Sequence, residues 1–287
     1  MVEDIRLFIN YLAKEKKCSK NTIDAYHNDL SQMADYIAST FGNEGQGYDA
    51  ITLSEEHLKM YVASLKDKHY SLSTEARKIA AVKTFLRFMA DRGKVQDDLV
   101  TKLSAPKVRK PLPKALSIAE IRRVLDETAR LPSIDARRDR AMLELLYATG
   151  MLASELMSLN VGDFNAFQSN ITINSQKAKP RVIALEKRIA DIIREYIESY
   201  RIKLLANDRE KALFLNQRGE RLTRQGFWQI VQSYADLAGI SVKVTPRTIR
   251  HSYAVHKLKD GADIQSVQEA LGHAHISTTK AYKQVEK

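Results

Sequence analysis

Residues 245–282 read TPRTIRHSYAVHKLKDGADIQSVQEALGHAHISTTKAY, and this stretch carries more information about the fold than any other part of the chain. We predict helices from about Pro246 to the C-terminus. Arg247 and Arg250 are three residues apart, which places them on one side of a helix. The stretch also contains several histidines and reaches a tyrosine, Tyr282, so it brings together side chains that bind anions and transfer protons.

The composition of the whole chain points to a polyanionic partner. The chain has 287 residues, a formal net charge of +11 and a pI of about 9.5, and such a charge attracts polyanions over long distances. Nucleic acid is the first candidate, although ribosomal proteins and proteins that bind acidic membranes are also basic. The length suits two domains of ordinary size.

Other features of the composition exclude several classes of protein. Cys18 is the one cysteine, which excludes an internal disulfide and any cysteine-based metal cluster. No run of about 18 apolar residues is present, so no membrane span is predicted. The first residues lack the basic and then apolar layout of a signal peptide, and we therefore expect a cytoplasmic protein.

The first hundred residues are patterned as helices. Ser19 precedes apolar residues that recur every three or four positions, as on a helix with one buried face. Further helices are predicted after Ser54 and after Ser73, and Gly93 is placed to end the last of them in a left-handed conformation. We expect residues 1–100 to form a helical N-terminal domain.

A basic, proline-rich segment follows. Three of the six prolines lie between positions 106 and 113, interleaved with Lys107, Arg109 and Lys110. Proline stiffens the chain and disfavours helix, and the cations favour contact with solvent or phosphate. We predict a linker over residues 101–116.

Residues 117–287 are predicted to form a mostly α-helical domain with one small antiparallel sheet. Ser117 and Glu120 have the spacing of a capping box that opens a helix. The β-branched segments Ile171–Ile173 and Arg181–Ile183 flank a lysine-rich turn, which indicates a β-hairpin. The fold class is therefore mostly α with a small antiparallel hairpin or sheet in the C-terminal domain.

The C-terminal stretch resembles the signature of tyrosine site-specific recombinases, the phage integrase family, including its Xer-type members. A single Leu-Gly-His would carry little information, but many matches in one register are hard to reach by chance. The similarity continues upstream, and the N-terminal helices resemble the core-binding domain of the family. The matching blocks are Arg250-His251-Ser252, Gly261-Ala262-Asp263, Leu271-Gly272-His273, Ser277-Thr278-Thr279, Tyr282, Arg138–Gly150, Ser154–Leu156 and Leu222–Trp228.

This resemblance implies a fold of two domains that clamp duplex DNA, and strand breakage without a metal ion or other cofactor. In the family a tyrosine attacks the scissile phosphate and forms a 3′-phosphotyrosyl bond, which a 5′-hydroxyl later reverses. Fixed cations stabilise the negative charge of the transition state. By matching motifs, Tyr282 corresponds to the nucleophile, Arg250 to the second arginine of the phosphate clamp and His273 to the histidine of Leu-Gly-His.

Three positions depart from the family pattern. Leu152 stands where the first arginine of the clamp belongs, and Arg247 fills the position of the first histidine. Gln176 takes the place of the hairpin lysine, which leaves Lys177 as the candidate general acid. Loss of one oxyanion donor costs roughly 10²- to 10³-fold in rate, and loss of a general acid roughly 10²- to 10⁴-fold. We therefore expect impaired catalysis.

The family resemblance also suggests which residues contact DNA. We expect specific sites on double-stranded DNA to be bound, with self-assembly on DNA from dimer to tetramer. Few residues follow Tyr282, so a tetramer held by exchanged C-terminal helices is in doubt, or must use other surfaces. The predicted DNA contacts are Lys83, Arg87, Lys107, Arg109, Lys110, Arg221, Arg224 and Gln225.

Two functions remain open at this point. One is a working recombinase that uses Tyr282, Arg250, His273, Arg247 and Lys177. The other is a catalytically inactive relative that serves as an architectural or regulatory DNA-binding protein. A type IB-like nicking activity would need the same missing groups, and a generic RNA-binding helical protein would leave the C-terminal signature unexplained.

Overall fold

The chain folds into two units. The computed structural model describes residues 1–41, 53–106, 108, 114–174 and 180–286. The units span Met1–Lys110 and Pro111–Lys287. Five of the residues named above, Lys107, Arg109, Lys110, Gln176 and Lys177, lie outside the described residues, as do the hairpin turn and part of the predicted linker.

The first unit is helical throughout its described part. Its helices are α1 (Val2–Lys14), α2 (Lys20–Phe41), α3 (Glu55–Asp67), α4 (Leu72–Ala90) and α5 (Asp98–Lys102).

Serine caps define where two of these helices begin. Ser19 precedes α2, and its hydroxyl accepts a hydrogen bond from the backbone N–H of Thr22 at 3.3 Å. Helix α4 begins two residues earlier than predicted, because Ser71 rather than Ser73 accepts the bond from Thr74 N–H. Both serines suit a cap, and the sequence alone does not distinguish them.

An apolar core holds these helices together. Phe8 of α1 is fully buried and packs against the rings of Phe85 and Phe88 of α4, at centroid distances of 5.6 and 5.1 Å. Leu103 is buried in the same core, so the packed part of this unit extends past residue 100.

The second unit is mostly helical with one small antiparallel sheet, which confirms the predicted fold class. Its strands, in the order β1-β2-β3, are β1 (Phe164–Asn165), β2 (Asn170–Ile173) and β3 (Arg181–Ala184). Strand β1 was not predicted, because two residues are too short to show an alternating pattern. The helices are α6 (Ile118–Arg130), α7 (Ile134–Thr149), α8 (Ala153–Ser158), α9 (Lys187–Glu195), α10 (Ile202–Leu204), α11 (Arg224–Leu237), α12 (Pro246–Lys259), α13 (Ile264–Leu271) and α14 (Ile276–Lys280).

A glycine at the end of α7 brings that helix close to α12. Gly150 has φ 60°, a left-handed conformation that favours glycine. A Cβ atom at this position would lie 2.3 Å from Cδ1 of Tyr253 on α12, so a larger residue has no room. The chain therefore enters α8 directly beside α12, which places position 152 next to the arginines of α12.

In the described part of the chain, no helix is long and apolar enough to cross a membrane.

Candidate active site

A cavity of about 550 Å³ opens in the second unit, where α8, α11, α12 and the segment from α13 to α14 meet. Among the described residues, it is lined by three arginines and three histidines but by no aspartate or glutamate. Such a lining suits an anion. The polar residues with charge or proton-transfer capacity are Arg224, Arg247, Arg250, His251, His273, His275 and Tyr282.

Arg250 is buried in the wall of this cavity, with 5% of its surface exposed. Its two terminal nitrogens donate to the carbonyl oxygens of Gly150 at 2.7 Å and Leu271 at 2.9 Å. These carbonyls belong to the C-terminal ends of α7 and α13, and they fix the plane of the guanidinium group. Burial lowers the pKa of Arg250, while nearby Tyr282 and Glu155 favour its charged form.

Tyr282 is also buried, with 4% of its surface exposed, and it lies between two histidines. The ring centroids of His251 and His273 are 5.3 and 6.2 Å from that of the tyrosine. Burial raises the pKa of Tyr282, while the charges of Arg250 and Arg247 act in the opposite direction. The hydroxyl is therefore protonated at neutral pH, and a base must accept its proton before or during any nucleophilic attack.

His273 is held in place beside this tyrosine. Its Nδ1 lies 2.9 Å from the hydroxyl oxygen of Thr279, and its own carbonyl accepts a hydrogen bond from Gln268 at 2.9 Å. Burial, together with the positive charge of Arg250, lowers the pKa of His273 to about 4. The imidazole is therefore neutral at physiological pH and retains a lone pair that can accept a proton.

Arg247 is linked to a second histidine, which the sequence did not identify as part of the site. Arg247 Nε donates to Nε2 of His251 at 3.2 Å. His251 is buried, and this burial lowers its pKa to about 4, while the backbone of Lys114 acts in the opposite direction. The four-residue spacing of Arg247 and His251 on a helix was the available signal, because such residues share one face.

Leu152 forms the part of the wall where the family would have an arginine. Its backbone N–H donates to Glu155 Oε2 at 2.8 Å. Arg181 binds both oxygens of Glu155, at 2.8 and 2.9 Å, and donates through Nε to the carbonyl of Ala270 at 3.0 Å. Since the guanidinium of Arg181 already has these partners, Arg181 does not replace the missing arginine.

Two residues predicted to contact DNA, Lys83 and Arg221, have hydrogen-bond partners within their own unit. Lys83 Nζ donates to the carbonyl of Leu103 at 2.9 Å. Arg221 donates to the carbonyls of Met157 and Leu159, at 2.8 and 2.9 Å, and to Asn160 Oδ1 at 2.6 Å. Both cations hold parts of their own unit together through these hydrogen bonds. The sequence pattern shows where cations lie on a helix but not which carbonyls face them.

Three other predicted contacts are accessible. Arg87 of α4 is exposed, as are Arg224 and Gln225 at the start of α11. Of these, Arg224 also lines the cavity.

Comparison with known proteins identifies the family. Residues 114–287 match the phage integrase family, and residues 5–93 match the phage integrase N-terminal SAM-like domain. The chain belongs to the phage integrase family of tyrosine recombinases. A relative, tyrosine recombinase XerC of Roseiflexus sp. (strain RS-1), is 38% identical over 287 residues, which cover 99% of this chain and 90% of the relative.

Solved structures of family members share the fold. XerH recombinase bound to palindromic difH substrate superposes with a TM-score of 0.75 at 19% identity, covering 100% of this chain and 82% of that chain. A lambda integrase tetramer bound to a Holliday junction gives a TM-score of 0.75 at 13% identity, covering 98% of this chain and 76% of that chain.

Proposed function

We propose that this protein binds specific sites on duplex DNA and breaks and rejoins one strand through a 3′-phosphotyrosyl bond to Tyr282. The observation that carries the proposal is the cavity that contains Tyr282, Arg250 and His273 and has no acidic side chain in its lining. A phosphate diester entering this cavity meets cations without meeting like charge. We place the protein on DNA in the cytoplasm.

The cavity residues have distinct roles in this reaction. The Tyr282 oxygen attacks phosphorus, the bond from phosphorus to the 5′ oxygen breaks, and the tyrosine becomes linked to the 3′ phosphate. Neutral His273 is available to accept the tyrosine proton. Arg250, fixed by two carbonyls, stabilises the negative charge that develops on the phosphate oxygens. We assign Lys177 as the proton donor to the leaving 5′ oxygen.

Cleavage is expected to be slow because two groups differ from the family pattern. Leu152 offers no hydrogen-bond donor, and Gln176 offers no ionisable proton. If their effects were independent, the rate would fall by roughly 10⁴- to 10⁷-fold, although effects within one site are often not additive.

DNA contact is assigned to the residues predicted from the family resemblance, among which Lys83 and Arg221 also bind carbonyl groups of their own unit. Arg87, Arg224 and Gln225 are exposed, and we add Lys107, Arg109 and Lys110 of the linker. Since the solved relatives include a DNA-bound recombinase and a tetramer on a Holliday junction, we propose assembly on DNA from dimer to tetramer.

A second candidate function is favoured by one observation, the apolar side chain of Leu152 in the wall of the cavity. An apolar group there supplies no donor for a phosphate oxygen, while the rest of the anion-binding lining is present. The protein would then bind DNA as an architectural or regulatory member of the family without cutting it.

Covalent trapping distinguishes the two functions. Duplexes are enriched from a random-sequence pool by binding to Tyr282→Phe, nicked to prevent religation, and incubated with the unmodified protein. A protein–DNA adduct that resists SDS and is absent with Tyr282→Phe supports strand cleavage. Tight, salt-sensitive binding with no adduct supports the second candidate. Absence of both binding and adduct overturns both functions.

A further inference from the structure

Arg247 and His251 form a hydrogen-bonded pair at the edge of the cavity. Arg247 is exposed, and Arg247 Nε lies 3.2 Å from Nε2 of His251. Because Nε2 of the histidine accepts this hydrogen bond, the neutral imidazole carries its hydrogen on Nδ1. His251 is also buried, so packing limits the movement of its ring.

The bond to His251 determines which part of Arg247 is left to bind a ligand. It occupies Nε, while the two terminal nitrogens have no protein partner among the described residues. Those two nitrogens carry four N–H donors, and together they match the spacing of two phosphate oxygens. Without the imidazole, the long side chain of an exposed arginine would sample many rotamers.

The need for this arrangement arises at position 152. Leu152 lines the same cavity as Arg247 and Arg250 and has no polar side-chain atom. Arg250 is fixed by two carbonyl groups, so it cannot turn to cover the position of a second arginine. Arg247 lies one helical turn from Arg250 on α12, and its terminal donors are available, whereas Arg224, the third arginine of the lining, belongs to α11.

We infer that His251 is a positioning residue that holds the terminal nitrogens of Arg247 toward the cavity, so that Arg247 and Arg250 together bind the phosphate group for which position 152 supplies no donor. The identity of that phosphate as part of DNA rests on the proposed function. The anion site itself does not, and it can be tested without DNA.

The test measures binding of inorganic phosphate to the full chain, followed by ³¹P line broadening at constant ionic strength. We expect Arg247→Gln to weaken binding about tenfold, as for loss of one charge-assisted contact. His251→Met, which removes the acceptor but retains bulk, should weaken it by nearly the same factor. The double variant should be no weaker than Arg247→Gln alone, because His251 acts through Arg247.

Two further variants separate positioning from a general structural role. His251→Gln restores an acceptor oxygen and should recover most of the affinity. His256→Met is the matched control, since His256 is a buried histidine of the same helix, is hydrogen-bonded to Tyr147 at 2.9 Å and lies outside the cavity. It should leave phosphate affinity within about twofold of the unmodified protein.

Several outcomes would overturn the inference. One is a double variant whose loss of phosphate affinity is the product of the two single losses. The others are unchanged phosphate affinity in His251→Met and a lack of phosphate binding by the unmodified protein. If His251→Met does not fold, the inference is tested in the unmodified protein by the NMR signals of the His251 imidazole nitrogens. They should shift when phosphate is added and should not shift in Arg247→Gln. Phosphate binding with this coupling but no DNA binding would retain the inference and reject the proposed function.

Discussion

The two walls of the cavity differ in chemistry while both are held by the same kind of interaction. On the α12–α14 wall, defined by Arg250, His273 and Tyr282, carbonyl and hydroxyl groups fix the functional side chains. On the α8 wall, defined by residues 152–155, Glu155 fixes the backbone of Leu152, but the side chain at that position is apolar. Separate residues thus determine the backbone geometry of the α8 wall and its chemistry, so the side chain at position 152 can change while the backbone geometry stays the same.

The strongest test of this contrast is to give the α8 wall its missing donor. Leu152→Arg should increase formation of the Tyr282–DNA adduct by about 10²- to 10³-fold, the usual value of one oxyanion donor. The measurement is the initial rate of adduct formation on a nicked duplex. Leu152→Met is the matched control and should leave the rate unchanged. A rate for Leu152→Arg equal to that of the control would mean that the α8 wall lacks more than a side chain.

A second test breaks the support behind the α8 wall. Glu155→Gln keeps an acceptor for the Leu152 N–H but leaves the charge of Arg181, which is 11% exposed in its side chain, without its partner. We expect the free energy of unfolding to fall by about 3 kcal/mol in urea denaturation, because a buried charge is then uncompensated.

The control for Glu155 is another glutamate bound by an arginine. Glu144 pairs with Arg188, whose side chain is 58% exposed. Since solvent can screen that arginine, Glu144→Gln should cost about 1 kcal/mol or less. Equal losses in the two variants would show that the Glu155 pair is not specially important for the α8 wall.

A third test uses acid to probe the α12–α14 wall. Burial lowers the pKa of both His251 and His273 to about 4, below the ordinary value of 6.5. The unfolded chain therefore takes up protons at higher pH than the folded chain does, and stability is lost as pH falls from about 6.5 toward 4. Each histidine should account for on the order of 2 kcal/mol of that loss.

Urea unfolding midpoints measured between pH 7 and pH 4.5 check this prediction. His251→Gln should reduce the slope of stability against pH, because one of the two histidines is removed. An identical slope of stability against pH in the unmodified protein and in His251→Gln would show that His251 does not contribute to the loss of stability in acid.

The smallest expected effect concerns DNA contact near the cavity. Arg224 is exposed, whereas Arg221 is bound to two carbonyls and Asn160. Arg224→Gln should reduce the slope of log binding constant against log salt by about one, as for loss of one phosphate contact. Arg221→Gln should lower stability and leave the salt slope of its folded form unchanged. A reduced salt slope in Arg221→Gln and an unchanged one in Arg224→Gln would show that Arg221, and not Arg224, contacts a DNA phosphate.

The helical fold was predictable because its signals are local. The Ser117–Glu120 capping box is present as predicted, and Thr223 caps α11. The internal roles of Lys83 and Arg221 were not predictable, because their carbonyl partners are 20 and 62 to 64 residues away in sequence. His251 was missed for a similar reason, since its ring contact with Tyr282 joins two segments that are distant in sequence.

Position 152 has a consequence for how this protein can evolve. Its backbone, at φ −72° and ψ 147°, is in a conformation that any L-residue adopts, and Glu155 holds it whatever the side chain. Leucine codons of the CUN set and arginine codons of the CGN set differ at one base. Where position 152 is encoded by a CUN codon, a single point mutation therefore separates the apolar wall from a cationic one. A lineage with such a codon keeps the missing arginine within reach of one nucleotide exchange.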